Sequence, residues 1–342
     1  MPQPRVSIII VTWNGLPLLQ QCLPSVLATK YDNFEVVVVD NGSEDGTLEW
    51  LESVPDVRVL AQSENLGFCG GNNVAIRETS SEFVVLLNND VAVSSDWLTH
   101  LVSSVSRDPS IGAMQPKIRS YRDQSRFEYA GACGGHLDTY GYPFARGRIF
   151  STVEEDDGQY DTSEDVFWAS GAALLLRRSA IDETGLLDER LFMHMEEIDL
   201  CWRLQHRGWR VVVEPSSVVF HIGGASLSHA NPRKVYLNFR NSLLLLYKHT
   251  SRRRWPALIA RRFAFDCLAM IRAIVLLRPR ESAAILRAFL DAHRMKSAFE
   301  PERPSSDDAT LPSFGGSIVL EYFLLQRKTF DKLDKSRFRT RR

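Results

Sequence analysis

Two amides and a carboxylate, Asn88-Asn89-Asp90, close the apolar run Phe83 to Leu87. A short apolar run rich in β-branched residues reads as a buried strand. Its C-terminal end then lies at the sheet edge where open α/β folds bind ligands. A carboxylate there can hold a hard cation or merely solvate a loop, and the run alone does not decide. A second group is Glu196, Glu197 and Asp199, three carboxylates in four residues near the start of an amphipathic stretch, Met195 to Gly208. Acids are favoured at a helix N-terminus, and Asp199 with Arg203 makes an i,i+4 pair. Three acids beside Phe192 and Met195 exceed what capping requires, so a proton-accepting carboxylate near a bound cation and diphosphate is the sharper reading. His221 ends a strand-like run and precedes Gly223-Gly224. The spacing predicts an exposed, unhindered imidazole suited to metal or phosphate contact, or to a structural hydrogen bond.

These groups need a scaffold, and the first hundred residues describe one. Apolar runs at 6–11, 34–40, 57–61 and 83–90 alternate with amphipathic stretches at 16–27 and 47–54. Near-continuous apolar strands alternating with helices predict a mostly parallel sheet covered on both faces. The turns after the first two strands carry Thr12 and Asn14, then Asp40, where a nucleotide could be gripped, although Asn, Asp and Gly are also ordinary turn residues. Asp40, ending a valine run, suits hydrogen bonding to a base or ribose. In NLGFCGGNN (65–73), with Asn65, Gly67, Gly71 and Asn72, close glycines let backbone N–H groups converge on an anion. The spacing is neither GxGxxG nor a P-loop.

From Ile118 to Val166 the chain turns polar, glycine-rich and aromatic, and reads as long loops or an antiparallel edge. Strand-like WRVVVEP follows the Met195 helix, and residues 235–299 read as helical and cationic. The last forty residues read as a linker, a short helix around Ile318 to Lys328, and a basic tail. The 342 residues carry a net charge of −1, with 44% apolar and 24% charged residues, as an ordinary globular chain does. Beyond residue 250 basic residues outnumber acidic ones 20 to 10, so the first part is acidic. Five scattered cysteines without a CxxC pair suit reduced thiols rather than a disulfide frame or zinc site. Met1 to Arg5 leads straight into a strand-like run without a signal-peptide core, and the expected location is cytoplasmic.

In order, VSIIIVTWNG, VVVVDNGSEDGT, NLGFCGGNN, VVLLNNDV, WASGAALLLRR, GLLDERLFMHMEEIDLCWRLQHRGW and HIGGAS resemble family 2 glycosyltransferases, notably the bacterial rhamnosyltransferase-like branch. The resemblance spans about residues 5–250 and includes YLNFRNSLLLLYKH (236–249). It implies a GT-A fold, a mixed α/β sheet flanked by helices, over residues 1–250. It also implies inverting transfer of a sugar from a dTDP-, UDP- or GDP-linked donor to a glycan or lipid-linked acceptor, with Mg²⁺ or Mn²⁺ and no nucleic acid. Asp90 would match the last acid of the DxD-type motif and His221 the family's metal or diphosphate histidine. Asn88 and Asn89 stand where the motif has its first acid. Glu197 would match the general base, although the family usually has Asp there, so Glu196 stays open. Thr12, Asn14, Asp40, Asn88, Asn89 and the 65–73 loop would hold the donor. Trp168, Ser170 and Gly171, with Asp199 and Arg203, would lie on the acceptor side.

Two other readings compete. A sugar-nucleotide pyrophosphorylase would want a Gly-rich signature with basic residues after the first strand, and VTWNGLPLL has none. A catalytically silent sugar-nucleotide-binding scaffold of a polysaccharide assembly complex fits the substituted acids at 88, 89 and 197. In the region 251–300, the apolar portion Phe263 to Leu277 is broken by Asp266 and Arg272 and is shorter than the ~20 residues a bilayer span needs. It reads as a helical hairpin, arginine-rich on one face and Trp/Phe/Leu-rich on the other. Such a hairpin would lie on the anionic inner leaflet or pack on the core.

Overall fold

The computed structural model describes residues 3–223, 231–251, 253–299 and 311–339. The first half alternates strictly: β1 (Val6–Thr12), α1 (Leu16–Leu27), β2 (Phe34–Asp40), α2 (Thr47–Glu52), β3 (Val57–Ala61), α3 (Gly67–Arg77), β4 (Phe83–Asn88), β5 (Val91–Val93), α4 (Trp97–Arg107) and β6 (Ile111–Ser120). Four short strands follow, β7 (Gly135–Leu137), β8 (Pro143–Ala145), β9 (Arg148–Ile149) and β10 (Thr152–Val153). Then come β11 (Glu164–Asp165), β12 (Ala173–Arg177), α5 (Arg178–Thr184), α6 (Glu196–His206) and β13 (Arg210–His221). Helices α7 (Pro232–His249), α8 (Trp255–Val275), α9 (Pro279–Met295) and α10 (Ile318–Phe323) complete the chain.

The main sheet runs β11-β13-β6-β12-β4-β1-β2-β3, with β5 beside β13. β4, β1, β2 and β3 are mutually parallel, while β12 is antiparallel to both β4 and β6. Apart from half-buried Val11, the valines and isoleucines in β1, β2 and β4 are buried, because helices cover both faces. Leu19, Leu23, Trp97 and Leu101 of α1 and α4 pack on one face, and Cys69, Ile76, Leu200 and Leu244 of α3, α6 and α7 on the other. This is the GT-A fold, a mixed sheet flanked by helices with C-terminal helices attached.

The polar stretch after Ile118 holds more order than its composition suggests. β7 to β10 form a small antiparallel sheet, and β11 pairs with the edge of the main one. The C-terminal segment is not the linker its sequence suggests. Phe314 N–H donates to Leu137 O (2.8 Å), and Ile318 N–H to Asp138 Oδ2 (2.9 Å), tying the segment to the β7–β8 hairpin. Buried His136 lies between Phe144, Phe330 and Phe338, with ring centroids 5.2–5.7 Å apart. Burial and the Arg146 charge push its pKa down to about 3, so the ring is neutral and packs as an aromatic. The PERPSSDDAT stretch and the last three residues lie outside the described residues.

The arginine-rich and apolar faces expected for the 251–300 hairpin are not separated. Arg262 turns inward, 3.1 Å from Asp266 and 3.7 Å over the Tyr142 ring, with Tyr142 O–H donating to Asp266 (2.7 Å). The two ionic interruptions seen in the apolar run are thus half explained, because Asp266 is a buried anchor of α8 to the β7–β8 hairpin.

Candidate active site

Sheet register brings Asp90 and His221 together although they lie 131 positions apart in sequence. β5 pairs antiparallel with β13, setting His221 opposite Val91, and Ile222 N–H donates to Asp90 O (3.0 Å). His221 Nε2 then lies 3.0 Å from Asp90 Oδ1, and Nδ1 lies 2.9 Å from Glu128 Oε2. The histidine is buried rather than exposed, which its flanking glycines concealed. Burial would lower its pKa, but the two flanking carboxylates outweigh burial and raise it to about 10. Burial opposes ionisation of Asp90 too, and the His221 charge more than offsets it, so the carboxyl sits below its usual range. The Nε2–Asp90 approach lacks hydrogen-bond geometry, while Nδ1 is held by a carboxylate. A histidine oriented through its far nitrogen, beside a carboxylate, is a donor set that fits a divalent cation. Among the described residues no group of three or more His, Cys, Asp or Glu forms a metal-holding cluster.

The pair opens into a cavity of about 370 Å³ at the C-terminal edge of the sheet. Thr12, Asn65, Gly67, Asn88, Asn89, Asp90 and His221 wall one part, and Trp168, Ser170, Gly171, Glu196 and Glu197 another. Asn89 Nδ2 donates to Thr12 Oγ1 (3.0 Å), linking the ends of β4 and β1. Gly15 permits this clasp, since a Cβ there would fall 2.4 Å from Thr12 Oγ1. Ser170 is fixed by its N–H to Gln115 Oε1 (2.7 Å) and its Oγ–H to Ala130 O (2.7 Å).

Glu196 and Glu197 open α6 just after a contorted segment. Phe192, His194 and Met195 have φ of 67°, 67° and 72°, a left-handed run that side chains rarely adopt. Buried Asn241 of α7 holds it, its Nδ2 donating to the carbonyls of Leu191, Met193 and His194 at 3.1, 3.0 and 2.7 Å. Gly67 lets Phe192 close in, because a Cβ there would meet the ring at 2.6 Å. Both glutamates keep a buried Oε2 without a partner. Burial raises Glu197 to about 7, with backbone N–H groups opposing. Burial, and then the Glu197 charge, push Glu196 up as well.

Other expected residues lie outside the cavity wall. Asp199 and Arg203 point into the protein interior rather than into the cavity. Asp199 is fully buried, 2.7 Å from Arg203 Nε, 2.9 Å from Lys248 Nζ and 2.8 Å from His249 Nε2, and Arg203 caps the Thr184 and Leu186 carbonyls. They fasten α6 to α7, because α6 turns this face inward. Gly71 packs against Val11, and the Asn72 amide donates to Phe68 O (2.9 Å). Asn14 clasps the second loop, accepting from Glu44 N–H (2.8 Å). Asp40 is buried, with Oδ2 accepting from Ser43 N–H and Oδ1 unpartnered.

Sequence reasoning missed Glu128, Arg148, Arg233, Lys234 and Asn241. Arg148, Arg233 and Lys234 put three cations in the cavity wall. A signal for two of them was present: Asn231-Pro232 marks a helix start, and Arg233-Lys234 follow directly. Cations oppose the dipole there, so an anion is called for. Glu128 left no such trace.

The chain belongs to glycosyl transferase family 2, whose family model matches residues 7–185. It is 31% identical to an uncharacterized Sinorhizobium fredii protein over 74% of this chain and 28% of that one. It is 32% identical to the N-acetylglucosaminyl-diphospho-decaprenol L-rhamnosyltransferase of Mycobacterium tuberculosis, over 63% of this chain and 75% of the relative. A Myxococcus xanthus O-antigen biosynthesis protein is 31% identical over 65% of this chain but only 18% of its own length. Two of these three relatives are thus much longer than the part the chain spans. In fold it is similar to a Pyrobaculum calidifontis mannosyltransferase solved with GDP-Man and Mn²⁺ (TM-score 0.52, 19% identity, 87% and 88% of the chains covered). It is also similar to GalNAc-T7 solved with UDP, GalNAc and Mn²⁺ (TM-score 0.60, 15% identity, 91% and 59% covered).

Proposed function

We propose that the protein transfers a sugar, rhamnose being the foremost candidate, from a nucleotide diphosphate donor to a hydroxyl of a glycan or lipid-linked acceptor, with inversion, in bacterial surface polysaccharide synthesis. The observation that carries this reading is one cavity holding both the Asp90–His221 pair and a glutamate poised near neutrality. The rhamnosyltransferase and O-antigen relatives support the sugar and the pathway class, and the two solved neighbours support a nucleotide-sugar donor.

Glu197, deprotonated above about pH 7, takes the acceptor's hydroxyl proton as attack proceeds. Glu196, beside it, is also held above the usual carboxylate range by burial and by the Glu197 charge. Lys234, Arg233 and Arg148 attract the donor's diphosphate, while Thr12, Asn65, Asn88 and Asn89 orient the nucleotide against the sheet edge. Asp90 and His221 would hold Mg²⁺ or Mn²⁺, which offsets charge on the departing diphosphate. One base suffices for a single displacement. The buried cysteines do not serve as nucleophiles, since burial pushes the Cys69, Cys133 and Cys201 thiols up. The catalytic residues would work at the cytoplasmic face of the membrane, with the α8–α9 hairpin as the peripheral contact.

The test is turnover of dTDP-, UDP- and GDP-sugars by Glu197→Gln and Glu196→Gln. Glu197→Gln should bind donor yet lose about 100-fold or more in rate, together with the rise in rate through neutral pH. Glu196→Gln should keep that rise. The reverse pattern moves the base to Glu196. Donor binding by the wild type without nucleoside diphosphate release refutes the enzyme and leaves the silent scaffold.

A further inference from the structure

A second cavity, of about 700 Å³, lies away from the catalytic cleft, between the β7–β8 turn, the C-terminal end of α7, the first turns of α8 and the segment from Leu311 to Phe314. Its floor is apolar, with Phe167 and Trp202, and Arg253, Arg254, Arg261 and Arg339 edge it. Among the described residues none of these four guanidinium groups makes an ion pair. Four exposed like charges around one hollow repel each other unless an anion joins them. One further feature asks for the same partner. The first turn of α8 carries no acidic residue and no side-chain cap, so its positive end is uncompensated.

The cavity continues into a surface that a small anion would not cover. On α8, Arg254, Ala257 and Arg261 edge the hollow, and steps of three and four residues carry the same face through Ala264, Leu268 and Ile271 to Val275. Leu268, Ile271 and Val275 are 59%, 57% and 73% exposed. Leu276 and Leu277 extend the strip at the turn into α9, and Arg272 lies 5.8 Å over Phe323, next to exposed Leu324 and Leu325 of the C-terminal segment. From Ala257 to Val275 this face is about 27 Å long. No helix among the described residues is long and apolar enough to cross a membrane. A strip of that length on a non-spanning helix lies along a surface.

We propose that this cavity seats the phosphate of an anionic membrane lipid, with the α8 strip sunk into the adjoining acyl region. The guanidinium groups supply forked donors to phosphate oxygens. The apolar floor and strip receive the chain side of the lipid, as in interfacial helices. A soluble phosphate would satisfy the rim and leave the strip in water; a lipid covers both. The inference deepens the peripheral placement proposed above, and its test does not read turnover.

The full chain is sedimented with phosphatidylcholine vesicles, alone or containing phosphatidylglycerol. Wild type should pellet only with the anionic vesicles. Changing all four arginines to Gln should lower partitioning by about fivefold per charge, on the order of 100-fold or more in all. The corresponding four-Lys variant, which keeps the charges, controls for folding and should retain most binding. Leu268→Ser with Ile271→Ser should weaken binding in high salt, where the apolar contribution dominates. Glu197→Gln should pellet like wild type, so failure here is separate from failure of the catalytic assignment. Equal binding to neutral vesicles, or undiminished binding by the four-Gln variant, overturns the proposal. So does stabilisation by inorganic diphosphate, lost in the four-Gln variant, in a protein that pellets with neither vesicle; the site then takes a soluble anion.

Discussion

Replacing Asn241 by Leu tests whether the left-handed segment before α6 exists to aim the glutamates. Leu fills the same buried space but donates nothing to Leu191, Met193 and His194 O. Leu191 O keeps the Arg240 Nη2 bond (3.0 Å), so two carbonyls lose their only side-chain donor. Met193 and His194 are half-buried and line the cavity, where water can partly replace the amide, so the loss is nearer the net worth of two hydrogen bonds, about 1–3 kcal/mol in all. The strained segment can shed part of this by letting Phe192, His194 and Met195 relax from φ near 70°, each worth about 1–3 kcal/mol. Relaxation moves Glu196 and Glu197, and a displacement of about 1 Å costs on the order of 100-fold in rate. The assay is steady-state turnover across pH, beside a melting curve. The expected result is a 100-fold loss in kcat, with the rising limb of the pH profile displaced from about 7 toward the ordinary glutamate value, as Glu197 leaves its buried seat. A lower melting temperature with kcat and pH profile unchanged would refute the reasoning, since Asn241 would then only hold the fold.

Asp90→Ala should remove Mn²⁺-stimulated turnover, by about 100-fold or more, and His221→Ala should cost about 10- to 100-fold, because diphosphate and water can complete a coordination shell. A Mn²⁺ titration of rate that matches wild type for both variants refutes the pairing. Asp199→Asn should lower unfolding free energy in urea at pH 7 by about 3–5 kcal/mol, since Arg203, Lys248 and His249 lose their shared counter-charge. Burial raises the Asp199 pKa, but Arg203 and its neighbours hold it well below the usual range. The wild type therefore has this stabilisation above about pH 4 and loses it as pH falls through the lower folded value, and the variant should lack that acid limb.

The scaffold was legible in the sequence because burial on both faces leaves β1, β2 and β4 as near-continuous apolar runs. Asp90 was legible for the same reason, as the first acid after such a run. Asp199 and Arg203 were misplaced because an i,i+4 ion pair has the same spacing on a solvent face as on a buried one; only the approach of Lys248 and His249 from α7 distinguishes them. Glu128 was invisible, since its partner is 93 residues away and no local pattern forecasts that contact. The C-terminal segment was misjudged because Pro, Ser and Gly make up nine of the seventeen residues 301–317, while its core anchors, Leu311, Phe314, Ile318, Phe330 and Leu333, are widely spaced.

That late anchoring sets a timetable. Phe144 and His136 rest against Phe330 and Phe338, which emerge from the ribosome nearly two hundred residues later. At synthesis rates of about 5–20 residues per second, the small sheet waits about 10–40 s with its aromatic face open. The main sheet draws on nothing beyond His221 for its strands and can close earlier. A nascent chain should therefore pass through a state with a formed nucleotide-binding half and an uncovered aromatic surface. Holdase chaperones select surfaces of that kind, and a stop codon before Phe330 would make the waiting state permanent.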